Sequence, residues 1–94
     1  MNETVVHSSG NVFADLGFPP DEAAVLEMRA SLMVDLKKFI EAKKLSQSVA
    51  ARRFGISQTR VADLVHGKWD KFSLEMLVTL ATRAGMRVTL RHAA

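Results

Sequence analysis

Several residue patterns are missing from this chain, and each absence excludes a class of protein. None of the 94 residues is cysteine, so neither a disulfide framework nor a thiolate metal site can form. No apolar run approaches the length that spans a membrane, and residues 1–10 lack the basic start and apolar core of a signal peptide. We therefore expect a soluble, cytoplasmic protein without a membrane partner.

Residue patterns typical of enzymes are also missing. His7, His66 and His92 are widely separated in the sequence. No glycine-rich phosphate loop precedes a predicted helix, and the carboxylates show no paired arrangement. The sequence therefore predicts no enzymatic activity, no cofactor and no bound metal.

Length and composition predict one small folded domain. A hydrophobic fraction of 48% is typical of a folded rather than a disordered chain, and 94 residues are enough for a single modest core. Residues 1–10 are polar and contain Ser8-Ser9-Gly10. We expect a flexible N-terminus over these ten residues and one domain over residues 11–94.

Positive charge is concentrated in the middle of the chain. Residues 1–36 hold six acidic residues and one basic residue, whereas residues 37–71 hold nine basic and three acidic residues. Binding to a phosphate backbone requires a basic surface of this kind. The distribution therefore favours a nucleic-acid contact in the central part of the chain.

That central part has the pattern of a helix-turn-helix over residues 46–67. Two serine N-caps, two glycine stops and one apolar turn residue define it: Ser46, Ser57, Gly55, Gly67 and Ile56. The small Ala51 allows the two helices to approach closely, and Val61, Leu64 and Val65 form the predicted buried face of the second helix. This combination predicts two short helices that pack against each other.

Polar residues at the start of the second helix favour DNA reading. Gln58 and Thr59 stand at the end of the motif that such proteins insert into the major groove, and a glutamine can grip adenine with two hydrogen bonds. The alternative is an ordinary helical hairpin that serves packing alone. Such a hairpin has no need for Gln, Thr and Arg together on one helical turn, so we favour the DNA-binding interpretation.

Longer helices are predicted on both sides of the motif. From Pro20 to about Lys44, apolar residues recur at the spacing of one buried stripe: Val25, Met28, Leu32, Met33, Leu36, Phe39 and Ile40. Another helix is predicted over residues 74–84, capped by Ser73, with these residues inward: Leu74, Leu77, Val78 and Ala81. The chain is therefore expected to be mainly helical.

Two aromatic segments lie outside these helices. Residues 11–18 are too apolar for a free tail, and we expect a short turn or a single helical turn that lays Phe13, Leu16 and Phe18 on the domain. The alternative is a docking surface for a protein partner. Trp69, in the loop after the motif, is expected to fold back over the core.

The last segment, residues 86–92, changes to the alternation of a β-strand. Met86, Val88 and Leu90 alternate with polar residues, and a single strand needs a hydrogen-bonding partner. No second convincing strand is apparent. We therefore expect the strand to pair with its own copy in a homodimer through these three residues, and pairing with the chain's own N-terminal segment is the alternative.

The pattern resembles the lambda-repressor-like (XRE-type) helix-turn-helix family and, within it, the HigA-like antitoxins of bacterial toxin–antitoxin modules. The resemblance covers residues 11–92. It rests on residues 11–18, Leu45-Ser46-Gln47, Ala51, Gly55-Ile56-Ser57-Gln58, Arg60-Val61, Gly67-Lys68, Phe72-Ser73-Leu74 and Gly85-Met86-Arg87-Val88. It implies a mainly α-helical bundle of four to five helices with a C-terminal dimerising strand, in a nucleoid-associated bacterial protein.

The resemblance also implies a set of DNA-contacting residues: Gln47, Ser57, Gln58, Thr59, Arg60, Asp63 and Lys68. In this set Gln58 reads a base edge, while Gln47 and Lys68 bind the phosphate backbone. Thr59 and Arg60 contact bases or phosphates beside Gln58. Asp63 either repels a phosphate or accepts a hydrogen bond from cytosine, and both roles stay open.

Three functions fit these observations. The first is an antitoxin that binds operator DNA as a dimer, represses its own operon and neutralises a ribonuclease-type toxin. The acidic first third of the chain favours it, since such toxins are usually basic and opposite charge steers association. The second is a stand-alone transcriptional regulator, and the third is an adaptor whose helix-turn-helix binds protein.

Overall fold

The computed structural model describes residues 3–6 and 12–90, and of residues 3–6 only the backbone. The elements run in the order β1 (Glu3–Val6), α1 (Val12–Asp15), α2 (Pro20–Ala42), α3 (Gln47–Phe54), α4 (Gln58–Val65), the 3-10 turn η1 (Trp69–Lys71), α5 (Leu74–Arg83) and β2 (Arg87–Leu90). This architecture confirms the predicted mainly helical fold.

Three helices begin at the serines that the sequence marks as N-caps. The side-chain oxygens of Ser46, Ser57 and Ser73 each accept a hydrogen bond from the backbone N–H three residues later, at 3.1 to 3.2 Å. Each bond satisfies a donor that the helix itself cannot, which stabilises a helix by about 1 kcal/mol. The starts of α3, α4 and α5 are therefore fixed locally.

The long helix α2 runs through the centre of the fold and packs against α1, α4 and α5. Five residues of the predicted stripe are buried, Leu32, Met33, Leu36, Phe39 and Ile40, and Met28 is half-buried; Ala23 and Leu26, which the stripe had not included, are buried as well. Val25 is 38% exposed, so its predicted inward position was wrong. At this end of α2 the buried face contains Ala23 and Leu26. Because consecutive residues of an α-helix are rotated by about 100°, Val25 points away from that face.

A comparable difference occurs in α5. Leu77 and Ala81 are buried as predicted, but Leu80 is fully buried whereas Val78 faces solvent. Leu77, Leu80 and Ala81 have the i, i+3, i+4 spacing of one helix face, and Val78 falls outside it.

No described helix, α2 included, combines the length and apolar character that crossing a lipid bilayer requires.

The core joins all the longer helices. Its largest fully buried side chains are Phe54, Phe72, Leu32, Leu36, Leu64, Leu77, Leu80 and Val61. Phe39 and Phe54 meet with ring centroids 6.4 Å apart and connect α2 to α3. The two helices of the motif are thus held on a common apolar base, and their polar faces point away from it.

The C-terminal strand has a partner within the same chain. β2 pairs in parallel with β1, in a register from Glu3 opposite Arg87 to Val6 opposite Leu90. This is the alternative to self-pairing, a partner in the chain's own N-terminal segment, and the expectation that the sequence holds no second strand was wrong. Thr, Val and Val in β1 favour extended backbone, and the β2 N–H and C=O groups find partners there.

The predicted dimerisation residues lie in three different environments. Met86 precedes β2 and is buried in the core, Val88 is half-buried against that core, and Leu90 is 63% exposed. The structure therefore uses Met86 inside the chain rather than at a surface. Residues 91 and 92, which were expected to extend the strand, lie outside the described part of the chain.

The aromatic segment before α2 is a single helical turn, as expected, but only part of it packs. The ring of Phe13 contacts the rings of Phe18 and Trp69 edge-on, with centroids 6.1 and 6.0 Å apart. Leu16 is 70% exposed, so its predicted position on the domain was wrong. Trp69 therefore packs against Phe13 of α1 rather than over the main core, and it is 37% exposed.

Candidate nucleic-acid interface

The helices α3 and α4 form the predicted helix-turn-helix. Gly55 ends α3 in a left-handed conformation with φ of 71°, and the Ile56 N–H donates to the Ala51 oxygen at 3.0 Å. Ala51 is buried between the helices, and Val61 and Leu64 of α4 are buried beneath it. The turn therefore aims the first residues of α4 away from the core.

Two arginines, Arg53 on α3 and Arg83 on α5, join the first helix of the motif to the end of α5. Arg83 Nη1 donates to the Phe54 oxygen at 2.7 Å, and Arg53 Nη2 donates to the Ala84 oxygen at 3.3 Å. The Arg53 guanidinium also lies 5.3 Å from the centroid of the Phe39 ring. Both guanidinium groups therefore have partners within the fold and stabilise the position of the motif.

The first positions of α3 and α4 present polar side chains to solvent. Gln47 begins α3 and Gln58 begins α4, and both are exposed, as is Thr59 at the next position of α4. Ser57 is exposed as well, but its hydroxyl already accepts from the Arg60 N–H as the cap of α4. Gln47, Gln58 and Thr59 thus have the accessibility that a contact with DNA requires.

Arg60 has a different environment from its neighbours. Its guanidinium lies 4.4 Å from the centroid of the Phe72 ring, and Nη1 donates to the Lys71 oxygen at 3.0 Å. Together these contacts tie α4 to the segment between η1 and α5. The structure gives this side chain partners within the fold, whereas the family resemblance had implied contacts with bases or phosphates.

Asp63 and Lys68 form an ion pair beside the recognition helix. Lys68 Nζ lies 3.6 Å from Asp63 Oδ1, and the two side chains are 53% and 17% exposed. The lysine therefore offsets the negative charge that α4 carries near its C-terminal end. Neither role considered for Asp63 from the sequence had included an internal partner.

A shallow depression crosses the boundary between α3 and α4. It is lined by Ser48, Ala51, Arg52, Gly55, Ile56, Ser57 and Gln58. Sequence reasoning missed Ser48 and Arg52, although their spacing of four residues places both on one face of α3. That spacing, at positions outside the predicted apolar face, was the signal that could have identified them.

The surroundings of the motif are basic. Four exposed lysines cluster at the last turns of α2 and just beyond it: Lys37, Lys38, Lys43 and Lys44. Among residues 3–6 and 12–90, no group of His, Asp and Glu side chains is arranged to hold a metal ion. The chemistry of this surface is that of cations, amides and hydroxyls, which suits a phosphate backbone.

With this geometry in place, comparison with known families decides the classification. A model of a helix-turn-helix domain matches residues 12–92. The chain belongs to this helix-turn-helix domain family. The family is XRE-like and typically non-enzymatic, and its helix-turn-helix domain suggests a DNA-binding regulator. Searches of curated proteins and of solved structures gave no match.

Proposed function

We propose that the protein is a sequence-specific transcriptional repressor that inserts the start of α4 into the major groove of an operator and serves as the antitoxin of a toxin–antitoxin module. The observation that carries the DNA-binding part is the exposure of Gln58 and Thr59 at the first two positions of α4. The Ser57 cap and the half-buried Ile56 of the turn fix that end of the helix, so its side chains meet DNA in one orientation.

In this proposal Gln58 reads a base edge and Gln47 binds a backbone phosphate. A glutamine amide matches the donor and acceptor that adenine presents in the major groove, and residues of the first motif helix cross the phosphate backbone. Ser57 and Thr59 lie beside Gln58 and complete the contact surface. Lys68 reaches the backbone at the other end of α4, from its pair with Asp63.

The proposed repressor is a homodimer. β2 uses one edge to pair with β1, and its other edge pairs with no strand of the described chain. Pairing of two β2 strands about a two-fold axis would join two sheets and leave Leu90 at the junction. Such a dimer would present two α4 helices about 34 Å apart, as a pseudo-palindromic operator requires.

The antitoxin role is supported by the surface around α1. Apolar side chains are exposed there on α1, on the start of α2 and on η1: Val12, Leu16, Phe18, Val25 and Trp69. Asp21 and Glu22 line the same groove as Phe18, Val25 and Trp69, together with one basic residue, Arg29, so the groove carries a net negative charge. A basic toxin with an apolar anchor would match this surface, since opposite charges steer association.

The DNA-binding part is tested with the DNA upstream of the gene. A labelled fragment of that region and a scrambled duplex of equal length are titrated with protein, and binding is followed by fluorescence anisotropy. We expect tighter binding to the upstream fragment and a steep loss of affinity with salt. Failure to bind either duplex at low salt would instead favour the adaptor, whose helix-turn-helix binds protein.

Dimerisation is tested by light scattering. We expect twice the chain mass for the intact protein and a monomer after removal of residues 87–94, with circular dichroism confirming that the helices remain. A truncated protein that is still dimeric would rule out the β2 interface.

The antitoxin role is tested by retention of a partner from the native host. We expect a small basic protein, encoded next to this gene, to be retained by the wild type and lost with a variant carrying Asp21→Lys and Glu22→Lys. Gln58→Ala serves as the control: it changes the proposed DNA-binding surface, and this variant should still retain the partner. If no such protein is retained while operator DNA is bound, the chain is a stand-alone regulator.

A further inference from the structure

We propose that Arg52 binds a backbone phosphate of the DNA strand that borders α4, in the depression that it shares with Ser48, Ser57 and Gln58. The proposal rests on the DNA-binding function proposed above and deepens it. It adds a cation on α3 to the contact surface and removes Arg60 from it.

Arg52 differs from the other arginines around the motif in having no internal partner. Arg53, Arg60 and Arg83 each donate to a backbone oxygen, those of Ala84, Lys71 and Phe54 respectively. Arg52 is exposed and makes no hydrogen bond or ion pair within the described part of the chain. Its guanidinium therefore keeps all five N–H donors for an external acceptor.

The surroundings of Arg52 are suited to an anion. The depression contains the hydroxyl-bearing side chains of Ser48 and Ser57 and the amide of Gln58, and no acidic residue lines it. A guanidinium without a counter-ion binds phosphate well, because its planar fork can donate two parallel hydrogen bonds to phosphate oxygens. The site thus combines positive charge, hydroxyl and amide groups, and access from solvent.

The position of the depression relative to α4 indicates which part of the DNA Arg52 contacts. Gln58 belongs both to the depression and to the end of α4 that enters the groove. A group beside that end, but on the first helix of the motif, faces the sugar-phosphate backbone that flanks the groove and not the base edges. Arg52 is therefore assigned to affinity and register, whereas Gln58 keeps the reading of sequence.

A structural role for Arg52 would be stabilisation of the C-terminal end of α3, where a cation suits the helix dipole. Arg53 is next to it in the same last turn and carries the same charge, but is committed to Phe39 and Ala84. The two residues form a matched pair. One is free and borders the recognition helix, and the other is bound within the fold.

The test compares Arg52→Gln with Arg53→Gln in the full-length chain. A mixed-sequence duplex of about 30 base pairs is used as the probe, because phosphate contacts do not depend on sequence. Anisotropy titrations over about 50 to 200 mM salt give the affinity and its salt slope. Thermal unfolding of each variant is measured in parallel.

We expect Arg52→Gln to weaken binding several-fold and to reduce the salt slope by about 1, with an unchanged melting temperature. Arg53→Gln should lower the melting temperature and leave the salt slope unchanged at temperatures where the variant is folded. Arg52→Lys keeps the charge and should restore most of the slope. This pattern would separate a phosphate contact from a helix-capping cation.

Three results would overturn the assignment. An unchanged salt slope in Arg52→Gln, with wild-type protein that binds, would remove Arg52 alone and leave the proposed function intact. A loss of affinity for an operator fragment but not for the mixed-sequence duplex would make Arg52 a base reader. A wild-type protein that binds no duplex at low salt would end the DNA-binding function and the role of Arg52 with it.

Discussion

Arg83 donates a 2.7 Å hydrogen bond from Nη1 to the backbone oxygen of Phe54, the last residue of α3, and so fixes the turn of the motif from a separate helix. The same nitrogen lies 3.0 Å from the position that a Cβ on Gly55 would occupy. The turn therefore needs glycine for two reasons: a positive φ, and the close approach of Arg83.

Gly55→Ala should destabilise the protein more than Gly67→Ala does. Both glycines have φ of 71°, but nothing lies within 4 Å of a Cβ built on Gly67. The left-handed conformation costs a residue with a Cβ about 1–2 kcal/mol at either site. At Gly55 the new methyl also displaces Arg83 from Phe54, which adds about 1 kcal/mol. Urea unfolding of both variants measures the difference.

Arg83→Ala provides the control for that comparison. In a chain that already lacks the guanidinium, Gly55→Ala and Gly67→Ala should cost the same free energy of unfolding. A difference that persists without Arg83 would show that the contact is not its source.

Arg60→Ala should lower the free energy of unfolding by about 1–3 kcal/mol, because it removes both the contact with the Phe72 ring and the hydrogen bond to Lys71. Arg60→Lys should recover only part of this, since an ammonium cannot stack on the ring as a guanidinium does. Thr59→Ala is the control, and as an exposed neighbour it should change stability by less than about 0.5 kcal/mol. A fully stable Arg60→Ala that no longer binds DNA would contradict this account and make Arg60 a direct contact.

Gln58→Ala and Gln47→Ala should have different effects on DNA binding. Both glutamines stand at the first position of an exposed helix start. Gln58→Ala should cost about 1–3 kcal/mol and relax specificity at one base position, whereas Gln47→Ala should weaken binding evenly across sequences. Affinities for a panel of operator variants with single base changes measure this. A uniform loss with Gln58→Ala would make it a phosphate contact.

The effect of Lys68→Ala on DNA binding should depend on Asp63. The substitution removes a cation and leaves the Asp63 carboxylate without the partner that lies 3.6 Å away, so the freed negative charge repels the phosphate backbone. Affinity should fall evenly for all sequences, and the fall should be smaller in an Asp63→Asn background. Equal losses in the two backgrounds would show that the ion pair has no influence on DNA binding.

The parts of the fold that could be predicted from the sequence depend on local chemistry. Serine caps, a left-handed glycine and apolar spacing lie within a few residues of the structure they determine, and Ser46, Ser57 and Gly55 all have the predicted roles. The edges of the buried stripes were less predictable. Val25 and Leu26 are adjacent apolar residues on the same turn of α2, so the local pattern allows either to face inward. Which of them is buried depends on where the neighbouring elements pack.

Contacts between distant segments could not be predicted in the same way. The pairing of β1 with β2 joins opposite ends of the chain, and four residues of alternating pattern do not reveal their partner. The partner of Arg60 depends on where η1 places Lys71 and Phe72. For the DNA interface, the sequence identified the exposed start of α4, but it could not distinguish a free arginine such as Arg52 from a committed one.

The most direct test of the central claim is selection of duplexes from a randomised library by the wild-type protein, followed by sequencing. The account predicts enrichment of a pseudo-palindrome whose half-sites lie about 10 base pairs apart, centre to centre. It also predicts that Gln58→Ala selects the same spacing with one base position relaxed in each half-site. A bound population with no enriched sequence would contradict the claim that α4 reads DNA.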